Sequence, residues 1–264
     1  MYHVNWKNAE PIPAHNETCF ERDLLAVILP TPEERKKFEQ YVSWAKTYTI
    51  VPHTTMQRHT HNFGEFIYVL NGRGAVEAGG VRKEFKRRDA IQIPADIPHA
   101  FVNEDDTQVV TLLSLGWLCA RMGQEPETKE AGPDAGPTLE KVRLYNWYEH
   151  ESFKLGHKKT LWWTEIGKQL GDTPEERMFM SHFIGISVVG LDLVPDQHPK
   201  GEIYFVDQGH GYLGVEGERT DVEEGSMTLI PGNAVHTVGS TLPDQQMNLL
   251  IIATYSELEP WAES

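Results

Sequence analysis

Short runs of apolar, β-branched and aromatic residues recur along the chain and stop at turn signals. FIYVL (66–70) and IYFV (203–206) end at NG and QG sequences, which are typical of turns. AIQIP (90–94) and SMTLIP (226–231) close on a proline, which cannot continue a central ladder. AVEAGGVRKEF (75–85) predicts a hairpin that turns at its two glycines. Strands at such short intervals predict an all-β fold, either a sandwich or a barrel.

One helix interrupts this pattern near the start of the chain. Thr31 suits the N-cap, Pro32 the first helical position and Glu34 the capping box. The apolar residues that follow keep helical spacing as far as Ala45. The sequence therefore predicts minor helices beside the strands, with one ending near Ala45.

The chain contains two copies of one unit. HTHNFGEFIYVLNGRG (59–74) matches DQHPKGEIYFVDQGHG (196–211). Five identities keep one offset of 137 positions: His61 and His198, Glu65 and Glu202, Gly72 and Gly209, Pro94 and Pro231, His99 and His236. Each copy exceeds 100 residues, which is an ordinary domain size.

A stretch between the copies has the composition of a linker. Residues 121–138 (RMGQEPETKEAGPDAGPT) are rich in proline, glycine and charge. We therefore predict an N-terminal domain over 1–120 with its core at about 48–118, a linker over 121–138, and a C-terminal domain over 139–264 with its core at about 180–255.

Composition narrows the functional classes. The 264 residues carry 24 Lys+Arg against 39 Asp+Glu, a net charge of −15, which argues against general binding to nucleic acid or anionic membranes. No apolar run approaches the roughly 20 residues of a spanning helix. The first residues lack the pattern of a secretory signal, and Cys19 and Cys119 are too few for a disulfide framework or a cysteine-based zinc site. We expect a cytoplasmic protein with a small-molecule substrate.

The 12 histidines include a candidate metal-ligand set. His59 and His61 are two residues apart, which places both side chains on one face of a strand. Glu65 follows a short turn, and His99 comes from a later strand. Three imidazoles and a carboxylate suit Fe(II), Mn(II), Ni(II), Cu(II) or Zn(II). A single HxH pair or a lone histidine is more often structural, so the combination with Glu65 and the partial recurrence carry the prediction.

These residues resemble the signatures of a known family. His59-x-His61-x3-Glu65-x6-Gly72 is similar to the first signature of the cupin superfamily, and Pro94-x-Asp96-x2-His99-x3-Asn103 is similar to the second, with Arg88 where glycine is usual. Two copies make the chain resemble a bicupin. The resemblance implies two tandem antiparallel jelly-roll barrels and assigns His59, His61, Glu65 and His99 as metal ligands. Because bicupins commonly pair, we expect a homo-oligomer, a dimer.

The second copy departs from the first at one ligand position. Asp196 stands where the first copy has His59, so the set is Asp196, His198, Glu202 and His236. Two histidines and two carboxylates still suit a divalent cation. Alternatively Asp196 turns away and leaves three ligands, or the set is a vestigial polar cluster.

Three further side chains are candidates for contacts with a substrate. Gln57 and Gln92 have the strand parity of nearby ligands, and buried amides need partners. Tyr204 follows Glu202 by two residues and would also face inward, where it donates a hydrogen bond to a substrate or simply packs.

The favoured function, by resemblance to cupin dioxygenases, is a non-haem Fe(II) dioxygenase that acts on a small polar or anionic molecule. A divalent ion with one carboxylate leaves a charge of about +1, which favours a bidentate anion. The first alternative is a non-redox isomerase, lyase, decarboxylase or hydrolase that uses Mn(II) or Zn(II). The second alternative is a non-enzymatic binding or storage protein, like the cupin seed proteins.

Overall fold

The computed structural model describes residues 2–34, 44–117, 127–132, 142–146, 160–166, 182–189, 195–197, 201–240 and 247–254. These residues form strands, the α-helix α1 (Leu24–Ile28), the helical residues 32–34 and a 3₁₀ turn (Trp6–Asn8). The first strands are β1 (Tyr2–Asn5), β2 (Ile12–Ala14), β3 (Cys19–Asp23), β4 (Trp44–Ile50), β5 (Thr54–Thr55), β6 (His59–His61), β7 (Gly64–Asn71), β8 (Arg73–Ala78), β9 (Val81–Lys86), β10 (Asp89–Ile93) and β11 (His99–Asn103).

The remaining strands are β12 (Val110–Trp117), β13 (Thr128–Glu130), β14 (Arg143–Asn146), β15 (Thr160–Ile166), β16 (His182–Val189), β17 (Glu202–Gln208), β18 (His210–Val215), β19 (Glu218–Glu223), β20 (Ser226–Ile230), β21 (His236–Ser240) and β22 (Met247–Thr254). The chain divides into two compact units. We call Ala9–Asn146 the first unit, and Met1–Asn8 with Trp147–Ser264 the second unit.

Two antiparallel sheets build the first unit. One has the strand order β14-β10-β7-β12-β4-β3-β2, and the other has the order β13-β6-β11-β8-β9 with β5 beside β11. Both sheets contribute apolar side chains to one core, which includes Ile67, Ile91, Val76 and Phe101. The predicted all-β jelly-roll architecture is confirmed. Burial of these inward faces, at about 25 cal/mol per Å² of apolar surface, holds the two sheets together.

The second unit repeats the plan. Its larger sheet has the order β1-β20-β17-β22-β16-β15, and its smaller sheet has the order β19-β18-β21. Val206, Leu249 and Leu213 belong to its core. The N-terminal strand β1 pairs with β20, so the start of the chain completes a sheet of this unit rather than of the first.

The predicted domain bounds and the compact units differ at three places. Residues 2–5 pair within the second unit, and β14 pairs with β10 of the first unit. Within the predicted linker 121–138, β13 pairs with β6. Ladder partners of such short strands lie far away in sequence, so composition alone does not reveal them.

The predicted dimer and the predicted cytoplasmic location stay predictions.

The predicted helix forms at its start and does not extend to Trp44 and Ala45. Glu34 N donates to Thr31 Oγ1 and Thr31 N donates to Glu34 Oε2, both at 3.2 Å, which is the predicted capping box. Residues 35–43 lie outside the described part of the chain. Trp44 and Ala45 begin β4, which pairs with β12, so the prediction that the helix reaches Ala45 is wrong. Pairing within the sheet prevails over helical spacing there.

Turns reproduce the repeat in three dimensions. Gly79 and Gly80, with φ of 56° and 82°, form the predicted two-residue hairpin turn between β8 and β9. Arg88 and Gly225 are 137 positions apart and both have positive φ, 73° and 92°. Their amides donate to carbonyls of β7 and β17 at 2.8 Å and 2.9 Å.

Among the described helices, none is long and apolar enough to cross a bilayer.

Candidate metal centre

Three strands of the first unit bring four ligand-type side chains together. β6 carries His59 and His61, β7 carries Glu65, and β11 carries His99 directly opposite His59 in the antiparallel register. One nitrogen or oxygen of each of the four lies within 4.8 Å of those of the others. All four residues are only 1–2 % exposed. The residues predicted as first-copy ligands therefore share one buried cluster.

Each ring is held through its Nδ1 atom, which leaves Nε2 facing the cluster. His59 Nδ1 lies 2.8 Å from the carbonyl oxygen of Gln57, and His99 Nδ1 lies 2.8 Å from that of Ile97. Since a carbonyl only accepts, Nδ1 carries the proton in both rings, and Nε2 of the neutral ring is a lone-pair donor. His61 Nδ1 lies 3.2 Å from a hydroxyl, Thr128 Oγ1. Such outer contacts orient the ligands of metal sites.

The inward atoms of the cluster have no hydrogen-bond partner. Nε2 of His59, His61 and His99 and Oε2 of Glu65 are all buried without one. His99 Nε2 lies 3.1 Å from Glu65 Oε2, and His61 Nε2 lies 3.6 Å from the same oxygen. With Nδ1 protonated, two lone pairs face each other at 3.1 Å. That arrangement is favourable only when a proton or a cation lies between them.

Burial also selects the charge states that a metal needs. It lowers the pKa of His59 to about 2, with a further contribution from the neighbouring His99, and it lowers the pKa of His61 to about 3. Burial alone would raise the pKa of Glu65, but His99, whose Nε2 lies 3.1 Å from the carboxylate, and the other nearby imidazoles hold it well below its usual value. At neutral pH His59 and His61 are thus neutral and Glu65 is ionised, as metal ligands must be.

The spacing fits a first-row divalent ion. With bonds near about 2.1 Å, adjacent donors of a tetrahedral or octahedral ion lie roughly 3.0–3.4 Å apart and opposite donors about 4.2 Å apart. The two distances from Glu65 Oε2, 3.1 Å and 3.6 Å, are close to the adjacent values. These residues could therefore hold a metal ion through three nitrogens and one oxygen.

Sequence comparison identifies the family to which this architecture belongs. The Cupin_2 cupin domain model matches residues 46–116 and again 189–252. The chain is a bicupin, a member of the cupin family. Its two matches coincide with the two copies of the repeat, as the resemblance implied. No curated protein sequence is significantly similar to the chain.

Solved structures share the bicupin fold at low sequence identity. Salicylate 1,2-dioxygenase from Pseudoaminobacter salicylatoxidans, with gentisate adducts, superposes with a TM-score of 0.71 and 13 % identity over 96 % of this chain and 80 % of that one. Oxalate decarboxylase from Bacillus subtilis gives 0.67 and 13 % over 97 % and 78 %. Vicilin from Corylus avellana gives 0.67 and 12 % over 96 % and 85 %. Similarity at this level establishes the fold alone.

Two residues that sequence reasoning missed support Glu65 of the bicupin. Ser114 Oγ donates to Glu65 Oε1, and Trp44 Nε1 donates to Ser114 Oγ at 2.9 Å. The Trp44 ring also packs edge-on against His61, with 4.6 Å between centroids. Phe63 stacks on His61 at 4.8 Å and also contacts Trp44, with 4.5 Å between their ring centroids. No sequence motif marks Ser114 or Trp44, because their contact with Glu65 depends on the order of the strands.

His15 is a further neighbour that the sequence did not reveal. Its ring lies 4.3 Å from that of His59, and burial lowers its pKa to about 4. His15, Asn16 and Glu17 have φ of 51°, 54° and 62°, an unusual run of left-handed residues without glycine. Such strain persists where surrounding structure over-determines the backbone. Here Thr18 Oγ1 donates to the His15 carbonyl at 2.6 Å, which holds this loop beside the cluster.

The two glutamines predicted to contact substrate have different positions. Gln57 acts through its backbone, since its carbonyl accepts from His59 and its amide donates to Thr18 Oγ1 at 2.9 Å. The inward position predicted for Gln92 is corrected by the register, which pairs Ile93 with Glu65 and Gln92 with Phe66. Because side chains alternate, Gln92 lies on the face opposite to Glu65. A contact of the Gln57 side chain with substrate stays a prediction.

The second copy keeps part of the cluster. Asp196 pairs with His236 as His59 pairs with His99. His236 Nε2 lies 3.2 Å from Glu202 Oε2, and His236 Nδ1 lies 3.0 Å from the Ala234 carbonyl oxygen. His198, the remaining predicted ligand, lies outside the described residues. Within the described part of the chain, the cluster of possible metal ligands with suitable spacing is that of His59, His61, Glu65 and His99.

The pKa of the second-copy histidine shifts in the opposite direction to those of His59 and His61. Burial by itself lowers the pKa of His236, but the hydrogen bond with Glu202, the contact with the Ala234 carbonyl and the charges of Glu202 and Asp196 together outweigh it, so the pKa is raised. Tyr204 shares the inward face and lies edge-on to His236, with 6.0 Å between ring centroids. The predicted inward position of Tyr204 agrees with this contact, and its role toward a substrate stays a prediction.

Proposed function

We propose that this bicupin is a metal-dependent enzyme, a non-haem Fe(II) dioxygenase that acts on a small anionic molecule at the first-unit cluster. The observation that carries the proposal is the set of four buried donor atoms without hydrogen-bond partners, three imidazole nitrogens and one carboxylate oxygen. Four such lone pairs directed at one point are costly unless a cation binds there. Fe(II) bound there would supply Lewis acidity and reactivity toward O₂.

The charge of the cluster favours an anionic substrate. The neutral His59 and His61 contribute no charge, and Glu65 contributes one negative charge. A divalent ion would leave the site at about +1, so a chelating enolate, phenolate or carboxylate would neutralise it. Gentisate, named in the salicylate 1,2-dioxygenase structures, has a carboxylate beside a phenol and belongs to this chemical class.

The protein residues have defined tasks in this proposal. His59, His61, Glu65 and His99 hold the ion, and the carbonyls of Gln57 and Ile97 keep two of the rings oriented. Trp44 and Phe63 pack against each other and against His61, and they surround that ligand with apolar surface. Exclusion of water by these aromatic rings strengthens electrostatic interactions within the site.

Oxygen uptake tests the proposal. The full chain, loaded with Fe(II) under argon, is mixed with oxygen and a panel of catechols, hydroxybenzoates and diketones, while an electrode records O₂. We expect substrate-dependent uptake by the wild type and none by His61→Ala, with about one iron per wild-type chain by elemental analysis. Uptake that is unchanged in His61→Ala, or a full panel without uptake, would contradict the dioxygenase assignment.

A non-redox reaction is the second candidate. Three imidazoles and a carboxylate bind Mn(II) and Zn(II) as well as Fe(II), and the similar fold of oxalate decarboxylase shows that the architecture carries other chemistry. Turnover under argon with Mn(II) or Zn(II) would favour an isomerase, lyase, decarboxylase or hydrolase. Metal binding without turnover under either condition would favour a binding protein, the class suggested by the vicilin fold.

A further inference from the structure

We infer that Ser114 and Trp44 are positioning residues that orient Glu65 toward the metal, an inference that rests on the proposed metal site. The three side chains form a chain of hydrogen bonds from Trp44 Nε1 through Ser114 Oγ to Glu65 Oε1. The indole only donates and the carboxylate only accepts, so the single hydroxyl proton of Ser114 points at Glu65.

Neighbouring strands of one sheet build this hydrogen-bond chain. Glu65 lies on β7, Ser114 on β12 and Trp44 on β4, which are adjacent in the order β7-β12-β4. Gly116 pairs with both Glu65 and Trp44 in the register. A Cβ atom at Gly116 would lie 2.6 Å from the Phe63 ring and 3.2 Å from Trp44 Nε1. The missing side chain at Gly116 therefore makes room for the indole.

The two carboxylate oxygens of Glu65 have different neighbours. Oε1 accepts from Ser114, whereas Oε2 faces His99 and His61. All of these groups are buried, so water does not compete for the carboxylate. Rotation of the carboxylate would break the bond to Ser114, which fixes Oε2 at the ligand position. Trp44 also contacts His61, so a single indole restrains two ligands.

In the described part of the second unit, an apolar residue stands at the position that corresponds to Ser114. Ser114 pairs with Ile67, two residues after Glu65, and the corresponding pair in the second unit is Ile251 with Tyr204, two residues after Glu202. Ile251 has no donor to offer. The serine thus accompanies the buried cluster of His59, His61, Glu65 and His99 and is not required by the fold, which favours a role in metal binding over a general role in packing.

Metal affinity of the full chain tests the inference. Co(II) is titrated into metal-free wild type, Ser114→Ala, Ser114→Thr and Trp44→Phe, and the visible absorption of bound Co(II) reports its geometry. We expect Ser114→Ala to weaken the Co(II) Kd roughly ten- to a hundred-fold and to change the spectrum, as loss of outer-shell partners typically does. Ser114→Thr retains the hydroxyl and should stay close to wild type, while Trp44→Phe should be intermediate.

Thr47→Val is the matched control. Thr47 is a buried hydroxyl on β4, its Oγ1 has no hydrogen-bond partner, and it pairs with Leu113 on the opposite face from Ser114. It should bind Co(II) like wild type. The inference is overturned if folded Ser114→Ala keeps the wild-type Kd and spectrum, or, should that variant not fold, if Trp44→Phe keeps both. A wild type that binds no Co(II) would instead refute the proposed function itself, and the inference with it.

Discussion

The two units contain the same pair of atoms in different surroundings. His99 Nε2 lies 3.1 Å from Glu65 Oε2, and His236 Nε2 lies 3.2 Å from Glu202 Oε2. In both units Nδ1 of the histidine contacts the carbonyl two residues earlier in the chain. The backbone therefore prepares an identical imidazole–carboxylate contact twice, and the neighbours decide what satisfies it.

The described neighbours of this contact differ in residue type. In the first unit, His59 and His61 add two neutral rings to the same point, and one proton cannot satisfy four lone pairs. In the second unit Asp196 stands at the position of His59, and the pKa of His236 is raised in spite of burial, which favours a proton between His236 and Glu202. Among the described residues, the two copies of one fold thus differ beside the same contact, with the neutral His59 in the first copy and Asp196 in the second.

Removal of one histidine from each unit should give the largest difference between the two units. His99→Ala takes away a ligand, so we expect Co(II) affinity to fall by at least about 100-fold. His236→Ala should leave the affinity and a stoichiometry of about one ion per chain unchanged. Elemental analysis and Co(II) titration measure both. Equal loss in the two variants would show that both units hold metal.

Acid should destabilise the metal-free first unit. In the folded protein the pKa of His59 is about 2 and that of His61 is about 3, whereas the pKa of histidine in the unfolded chain is 6.5. Below pH 6.5 the unfolded chain binds more protons than the folded chain. The free energy of unfolding therefore decreases as the pH decreases, by up to about 1.4 kcal/mol per pH unit for each histidine. From pH 6.5 to about 5 the two together cost up to about 4 kcal/mol.

Urea unfolding in the presence of a chelator measures this slope, and His59→Gln should remove about half of it. The sign is opposite for His236, whose raised pKa stabilises the folded state at low pH and whose contribution is lost as pH rises through the folded pKa. Stability that is independent of pH between about 7 and 5 would contradict the neutral state of His59 and His61.

The ion pair of the second unit should contribute stability rather than metal binding. Glu202→Gln removes the charged acceptor of buried His236, which should cost about 2 kcal/mol of unfolding free energy. Metal content should stay at the wild-type level. Replacement of both partners, with His236→Gln added, should recover part of the loss because no charge is left buried alone. Unfolding curves that match wild type would exclude a stabilising ion pair.

The smallest expected effect concerns the shared turn. Gly225→Ala should cost about 1–2 kcal/mol, since a side chain at φ of 92° is strained and its Cβ would lie 2.8 Å from Trp6. Arg88 already occupies the equivalent left-handed position, so Arg88→Gly should change stability by less than about 1 kcal/mol. Thermal unfolding compares the two. Equal effects would show that the two turns are under the same constraint.

The predictions that held depend on local rules. The 137-residue offset, the glycine hairpin, the strands that end at proline and the capping box at Thr31 are all present in the structure. Alternation along β6 correctly placed His59 and His61 on one face, and Glu65 and His99 lie beside them. Strand periodicity and turn chemistry act over a few residues, so the sequence displays them directly.

The predictions that failed depend on which strands lie side by side. The register turned Gln92 to the other face, Trp44 and Ala45 joined a sheet, and β1 completed a sheet formed 220 residues later in the chain. The sequence by itself determined the duplicated β architecture and the residue types of the candidate metal cluster. The tertiary structure decided the support of Glu65 by Ser114 and Trp44, because hydrogen bonds across a sheet join residues whose separation along the chain carries no signal.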